Sequence, residues 1–358
     1  MKIAKVKKGP ASATAAVMAT QVAAATSVMG YSSLSEPLIA FIVYSASYAF
    51  SAIALAVPVM RRLPPATVAY GSSIAIGASA TLLHMSAEPA ISVAISGTAL
   101  AISVSATSSA LVTYAGESAG PALSSLAFST GSLSGYGVSA LLTATGAHAI
   151  TPLLSAMLAA TSLVMTNAVP RRFWRRLIFR PCGRPSGGIG AAIAVASAGG
   201  AMFSAALTAK LSTLGNEAVM AVWFVTAAAP IGFYGRAARV SALYRRVLPT
   251  ATAGRGFAVI PAMTDPGSAV GFALALSSAL VVSVAWAYLI TSAVRAVMDR
   301  VKEPARVAGV YAASSTGSLG GSLTAYFLTS GAGAEAALAA SGLLSLTALF
   351  LLRKNRLS

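Results

Sequence analysis

Very few side chains in this chain could do chemistry. Charged residues make up 9% of its 358 positions, and inside the apolar stretches only Lys210 and Asp265 stand out. A charge at the centre of a bilayer costs about 2.5–3.5 kcal/mol on insertion scales, so one that is kept there marks a functional site by default. Lys210 could hold an anionic or carbonyl-bearing molecule, or its ammonium could reach the headgroup layer. Asp265 opens Asp265-Pro-Gly267, a strong turn signal, and reads as a loop residue, with a coupling role as the second reading. Gln21, a lone amide in an apolar run, could bond a solute or tie two helices together. Tyr136, Trp223, Trp286 and Tyr288 offer aromatic faces for an organic solute, or for packing. These groups bind; they do not break bonds. There is no Walker loop, no paired carboxylates and no Ser-His-Asp set, and Gly188-x-Gly190 lacks the preceding strand a nucleotide loop needs. One cysteine, Cys182, excludes an internal disulfide framework, and with His84 and His148 the only histidines no zinc site is expected. The reading is a protein without enzymatic activity and without a cofactor.

The elements that must position these residues follow from hydropathy and charge. Mean hydropathy is +0.78 and 56% of residues are hydrophobic, which excludes a soluble globule. A net charge of +17 could point to nucleic acid, yet the charge is split into short clusters separated by apolar runs of membrane length, with no single basic face. Those clusters are Lys2 to Lys8, Arg61-Arg62, Arg171 to Arg184, Arg236 to Arg255, Arg295 to Arg306 and Arg353 to Arg356. The alternate connections carry Glu36, Glu88, Glu217, Asp265 and Glu335. Lys and Arg are retained on the cytoplasmic side, so both termini are expected there, in a multi-pass protein of the cell membrane. Lys2 to Lys8 followed by an Ala-rich run also fits a cleaved signal, but the apolar run reaches Gly30, and a retained first span is preferred. At about 20 residues per span, the segments are 11–31, 37–60, 65–85, 89–112, 119–142, 149–169, 189–213, 217–238, 250–265, 269–293, 307–329 and 334–352.

The chain repeats itself. Glu117 to Ala122 leading into Ser129-Thr-Gly-Ser-Leu-Ser-Gly135 matches Glu303 to Ala308 leading into Ser315-Thr-Gly-Ser-Leu-Gly-Gly321. Arg61-Arg-Leu-Pro-Pro-Ala-Thr67 matches Arg246-Val-Leu-Pro-Thr-Ala-Thr252 at nearly the same spacing. Both members of each pair fall at cytoplasmic span ends, so the halves run in the same direction and each holds an even number of spans. The expectation is an all-α membrane protein of twelve transmembrane helices in two parallel six-helix repeats. It comprises a bundle over 1–170, a basic cytoplasmic linker over 171–188 and a second bundle over 189–358. Gly131-x-x-x-Gly135 and Gly317-x-x-x-Gly321 read as sites where helices cross closely.

On these features the chain resembles the major facilitator superfamily over nearly its whole length. Arg306 to Lys354 looks like that family's last two helices, with Gly317-Ser-Leu-Gly-Gly321 as the packing run and Arg353-Lys354 closing the end. Arg61-Arg62 stands where the family has a basic pair between its second and third helices. Three departures accompany this. Ala54-Leu-Ala-Val-Pro-Val-Met60 lacks the Asp and Gly that precede that pair. The antiporter motif is represented only by Gly131-x-x-x-Gly135-x-Gly137, and no arginine lies between Pro89 and Val112. The resemblance implies a cavity between the halves that opens to each side in turn. It implies that Gln21 and Lys210 lie on cavity helices, and that Arg61 and Arg62, with Asp265, serve gating or coupling. Partners are then a small solute and the lipid bilayer, in a monomer. A weakly polar lining suits a neutral or amphipathic solute better than a multiply charged one. Efflux of hydrophobic compounds, or a scaffold without transport, are the other readings.

Overall fold

A computed structural model describes residues 8–32, 37–85, 88–169, 187–301 and 307–354. The basic linker with Cys182 lies almost wholly outside the described residues, as does most of the cluster Lys2 to Lys8. Among the described residues there is no strand, and the chain forms thirteen α-helices. They are α1 Lys8–Ser32, α2 Pro37–Phe50, α3 Ala56–Arg62, α4 Pro65–His84, α5 Pro89–Ala144, α6 Thr151–Ala168, α7 Gly187–Ser212, α8 Asn216–Ile231, α9 Tyr234–Val240, α10 Tyr244–Gly254, α11 Ala269–Val301, α12 Val307–Ala332 and α13 Ala334–Lys354. A π-turn over Ser51–Leu55 joins α2 to α3, and a 3-10 run over Arg255–Met263 continues α10.

Prolines set several starts, since the missing N–H costs nothing in the first turn and φ is already helical. Pro65, Pro89 and Pro152 all stand there. The long α5 is two antiparallel arms that meet at Gly116, whose φ of 85° only glycine adopts readily. Ser108 and Ser124 hydroxyls are 2.6 Å apart across the hairpin, and Gly120 lies against the backbone of Leu111 and Val112.

Every segment expected from the sequence is occupied by helix. By length and composition seven elements can cross a membrane singly, or eight if the pair bent by 43° near Ile231 counts as one span. Twelve is therefore not the number that composition alone supports. The shortfall arises where Ser and Gly dilute the apolar content, as in α12, or where a span is divided between two short helices.

The interior is rich in small residues and hydroxyls around a few large side chains such as Phe203, Met18 and Leu100, and many other large apolar side chains face outward. Phe50, Ile74, Met157, Val164, Phe327 and Phe350 are all more than half exposed, a surface suited to lipid and too apolar for water. Inside, Ser and Thr hydroxyls bond back to the preceding turn, as Thr14 does to the Pro10 carbonyl and Thr107 to that of Ser103, each at 2.8 Å. A hydroxyl bonded in this way is satisfied without solvent.

The repeated glycines make the same contact twice. Gly131 and Gly135 lie on the α1 backbone at Ala19 and Ala23, and Gly317 and Gly321 lie on the α7 backbone at Ala194 and Ala198. In both places the contacts climb the two helices in the same sense, so each pair is parallel. Charge then separates along the bundle. One end, where α1 starts, carries Arg62, Arg246 and Arg295, and the other carries Glu88, Glu217, Asp265 and Glu335. These are called here the basic and the acidic end.

Candidate functional site

A cavity of about 370 Å³ lies in the middle of the bundle. One wall comes from α1, α2 and both arms of α5, including Thr26, Tyr44, Ser45, Ser125 and Tyr136. The other comes from α7, α8, α9, α11, α12 and the 3-10 run, including Ser197, Gly200, Arg255, Trp286 and Tyr311. Hydroxyl contacts join the walls at two levels. Toward the acidic end Ser45 and Ser322 hydroxyls are 3.3 Å apart. Toward the basic end Ser124 and Tyr311 hydroxyls are 3.2 Å apart, and Ser129 donates to the Tyr234 oxygen at 3.1 Å. Aromatic rings reinforce the acidic end, with Trp223 5.0 Å from Tyr136 and 5.6 Å edge-on to Phe41, measured between ring centres.

Of the side chains singled out in the sequence, Tyr136 and Trp286 line this cavity. Gln21 does not. Its amide donates to the Ala69 carbonyl and the Ser73 hydroxyl, each at 2.8 Å, and accepts from Ser103. A buried amide with its hydrogen bonds satisfied ties α1, α4 and α5 together. Trp223 stands behind Tyr136 and Phe41, its indole N–H donating to Thr208 at 2.9 Å. Tyr288 packs on Phe233, ring centres 6.4 Å apart. Asp265 is exposed and accepts from the Gly267 N–H at 2.9 Å, which is the turn expected of Asp-Pro-Gly. Arg62 is exposed at the end of α3, and Arg61 stands beside it in that helix. His84 and His148 are exposed at helix ends.

Lys210 is placed away from the cavity, near the end of α7. Its ammonium is 3.1 Å from the Glu335 carboxylate and donates to the Pro261 and Thr264 carbonyls at 2.9 and 2.8 Å. The lysine side chain is 11% exposed and the glutamate 59%. Lys210 thus clamps α7, α13 and the end of the 3-10 run at the acidic end. Lys210→Ala is expected to cost about 1.5–3 kcal/mol, because hydrogen bonds from a charged, mostly buried donor are lost. Glu335→Gln removes only an exposed partner and should cost under about 1 kcal/mol. Thermal unfolding of the two variants in detergent checks this; equal losses would contradict it.

The charged group that does line the cavity is Arg255, 3% exposed. It is the one charged residue of the buried interior among the described residues. Sequence reading assigned it to the basic cluster Arg236 to Arg255, at a cytoplasmic span end. The signal that reveals it is the repeat. Arg246 pairs with Arg61 and Pro249 with Pro64, so Arg255 falls opposite Tyr70, well inside the helix that follows.

No protein-family model matches the sequence, and no curated protein matches it significantly. Solved structures do match its shape. The human organic anion transporter MFSD10 (TETRAN) aligns at TM-score 0.72 and 16% identity, over 96% of this chain and 99% of that one. A structure of the nucleoside transporter NupG aligns at TM-score 0.66 and 13% identity, over the same shares of both chains. The helical bundle around its central cavity therefore has the fold of these two transporters, over nearly the whole of each chain.

Proposed function

We propose that this protein is a carrier that moves a small organic solute across a membrane by alternating access. One observation carries the reading: a single cavity takes its walls from both sequence repeats, with contacts between the walls on either side of it. Those contacts are hydroxyl pairs and aromatic edges. Each neutral hydrogen bond is worth about 0.5–1.5 kcal/mol net, so either end can part at a cost of a few kcal/mol. That is the range in which a bound solute shifts a two-state equilibrium. A solute-sized space between two walls needs only to open at each end in turn. The structural neighbours, transporters of organic anions and of nucleosides by name, agree with an organic cargo. With no carboxylate in the buried interior among the described residues, coupling to protons through a buried acid is disfavoured, and facilitated movement fits better.

The test uses single cysteines at Ser129 and Ser204, in a Cys182→Ser background, in sealed proteoliposomes. Membrane-impermeant thiol reagents should reach each position from both faces. Access fixed to one face would favour a static scaffold.

A further inference from the structure

We infer that the cavity selects an organic monoanion, one negative group on an apolar or aromatic body, and that Arg255 holds the anionic group. This rests on the carrier reading above and names the class of its cargo. Arg255 carries a buried charge with no counter-charge among the described residues. Among the described residues no carboxylate pairs with Arg255, its Nε is buried without a hydrogen-bond partner, and its one hydrogen bond runs from Nη2 to the Ala196 carbonyl at 3.0 Å. A guanidinium offers five N–H donors, so most of them are unused by protein. Burying such a group unpaired carries a large penalty, which an anion in the cavity would offset with charge-assisted, two-point hydrogen bonds.

The guanidinium is also held ready. Its Cζ lies 4.9 Å from the centre of the Trp286 ring, a cation–π distance. It also adjoins Gly200, where any Cβ would overlap Nη2 and stand 3.1 Å from Cζ. The arginine is therefore held against the α7 backbone and beside an indole, and bonded to the Ala196 carbonyl one turn before Gly200. On the opposite wall the Tyr44 hydroxyl is likewise buried, lines the cavity and lacks a partner. An anion bound at Arg255 with a polar contact to Tyr44 would join the two walls, so binding itself would favour closure. The single cation accounts for one negative charge, and Phe41, Phe128 and Trp286 supply the apolar surroundings for the body. The sequence expectation of a neutral or amphipathic solute narrows to an amphipathic anion.

The experiment measures binding and uptake with reconstituted full-length protein. The probes are acetate, benzoate, 1-naphthoate and 2-naphthalenesulfonate, beside the neutral benzamide and 1-naphthamide. At least one aromatic anion should bind and enter in preference to its amide. Arg255→Gln should weaken that anion roughly 10- to 100-fold and leave the amide unchanged. Gly200→Ala, which keeps the arginine but displaces its guanidinium, should weaken the anion in the same direction. Without ligand, Arg255→Gln should melt no lower than the parent, since an unpaired buried charge has been removed. Anions and amides behaving alike, no anion binding, or anion binding unchanged in Arg255→Gln would each overturn the proposal. So would a lower melting temperature in Arg255→Gln with the anion preference intact, which would assign the arginine to helix packing. If Arg255→Gln does not fold, Gly200→Ala decides alone. Anion binding without flux would keep this site and remove the carrier reading. Flux of neutral probes without anion preference would do the reverse.

Discussion

Replacing Gly321 by alanine should destabilise the protein, while the same change at its neighbour Gly320 should stabilise it. Two terms compete at each position. Alanine gains up to about 1 kcal/mol over glycine inside a helix, because less backbone freedom is lost. Against this stands the space a methyl group requires. At Gly321 the new Cβ would overlap the Ala198 carbonyl oxygen and stand 2.8 Å from the Ala198 Cα, and at Gly317 it would stand 2.9 Å from the Ala194 Cα. These obstacles are backbone, so no rotamer change relieves them; α12 would have to move off α7. Overpacking of this kind costs about 1–3 kcal/mol, occasionally more, and the penalty outweighs the helix gain. At Gly320, which is exposed, nothing lies within 4 Å, so only the gain remains. The repeat doubles the test: Gly131→Ala and Gly135→Ala, in α5 against α1, should fall with Gly321→Ala, and Gly137→Ala, with open space around it, should rise with Gly320→Ala. Valine at both Gly317 and Gly321 should destabilise more than either alanine, since two penalties of about 1–3 kcal/mol or more reach the lower end of a typical stability of about 5–15 kcal/mol. Melting temperatures in detergent read all of these. Equal effects at Gly320 and Gly321 would mean that α12 and α7 do not cross where the structure puts them.

The same glycines show why the fold was legible in the sequence and much of the site was not. A close helix crossing demands glycine at fixed spacing, whatever else changes, so Gly131-x-x-x-Gly135 and Gly317-x-x-x-Gly321 survived as a visible repeat and carried helix direction with them. Charge segregation was equally plain, because Lys and Arg at span ends are read from sequence alone. The site depends on which way each side chain turns, and an apolar run has no periodicity that says so when its interior is Ala and Ser. Lys210 stood out only because it was alone; three acceptors at the acidic end explain it. Arg255 was hidden for the opposite reason. It follows Arg245-Arg246 by nine positions, yet α10 and the 3-10 run carry it inward, where Gly200 leaves room. Gln21 was open from the sequence to either role, solute ligand or helix tie, and its three partners on α4 and α5 hold it as a tie, away from the cavity lining.

Joining Ser45 to Ser322 covalently should stop transport completely, although neither residue carries a charge or touches Arg255. The two hydroxyls meet 3.3 Å apart between α2 and α12, one from each repeat, toward the acidic end of the cavity. A carrier must separate these helices once per cycle, and the hydrogen bond there is weak enough to permit it. A disulfide or a short thiol-to-thiol linker is not. Cysteines at both positions, in a Cys182→Ser background, should transport before linking, lose uptake on linking, and regain it on reduction. Binding should persist in the linked protein, because the link lies at the acidic-end edge of the cavity, leaves Arg255 in place and leaves the basic end free to open. The complementary pair, Ser124 and Tyr311, lies on the basic side of the same space. Cysteines there, spanned by a reagent long enough to replace the lost ring, should stop transport equally while leaving access from the acidic end. The two locked forms would then be labelled from opposite faces at Ser129 and Ser204. A pore that conducts without rocking would lose little flux in either locked form, and undiminished uptake in a fully linked protein would leave alternating access without support.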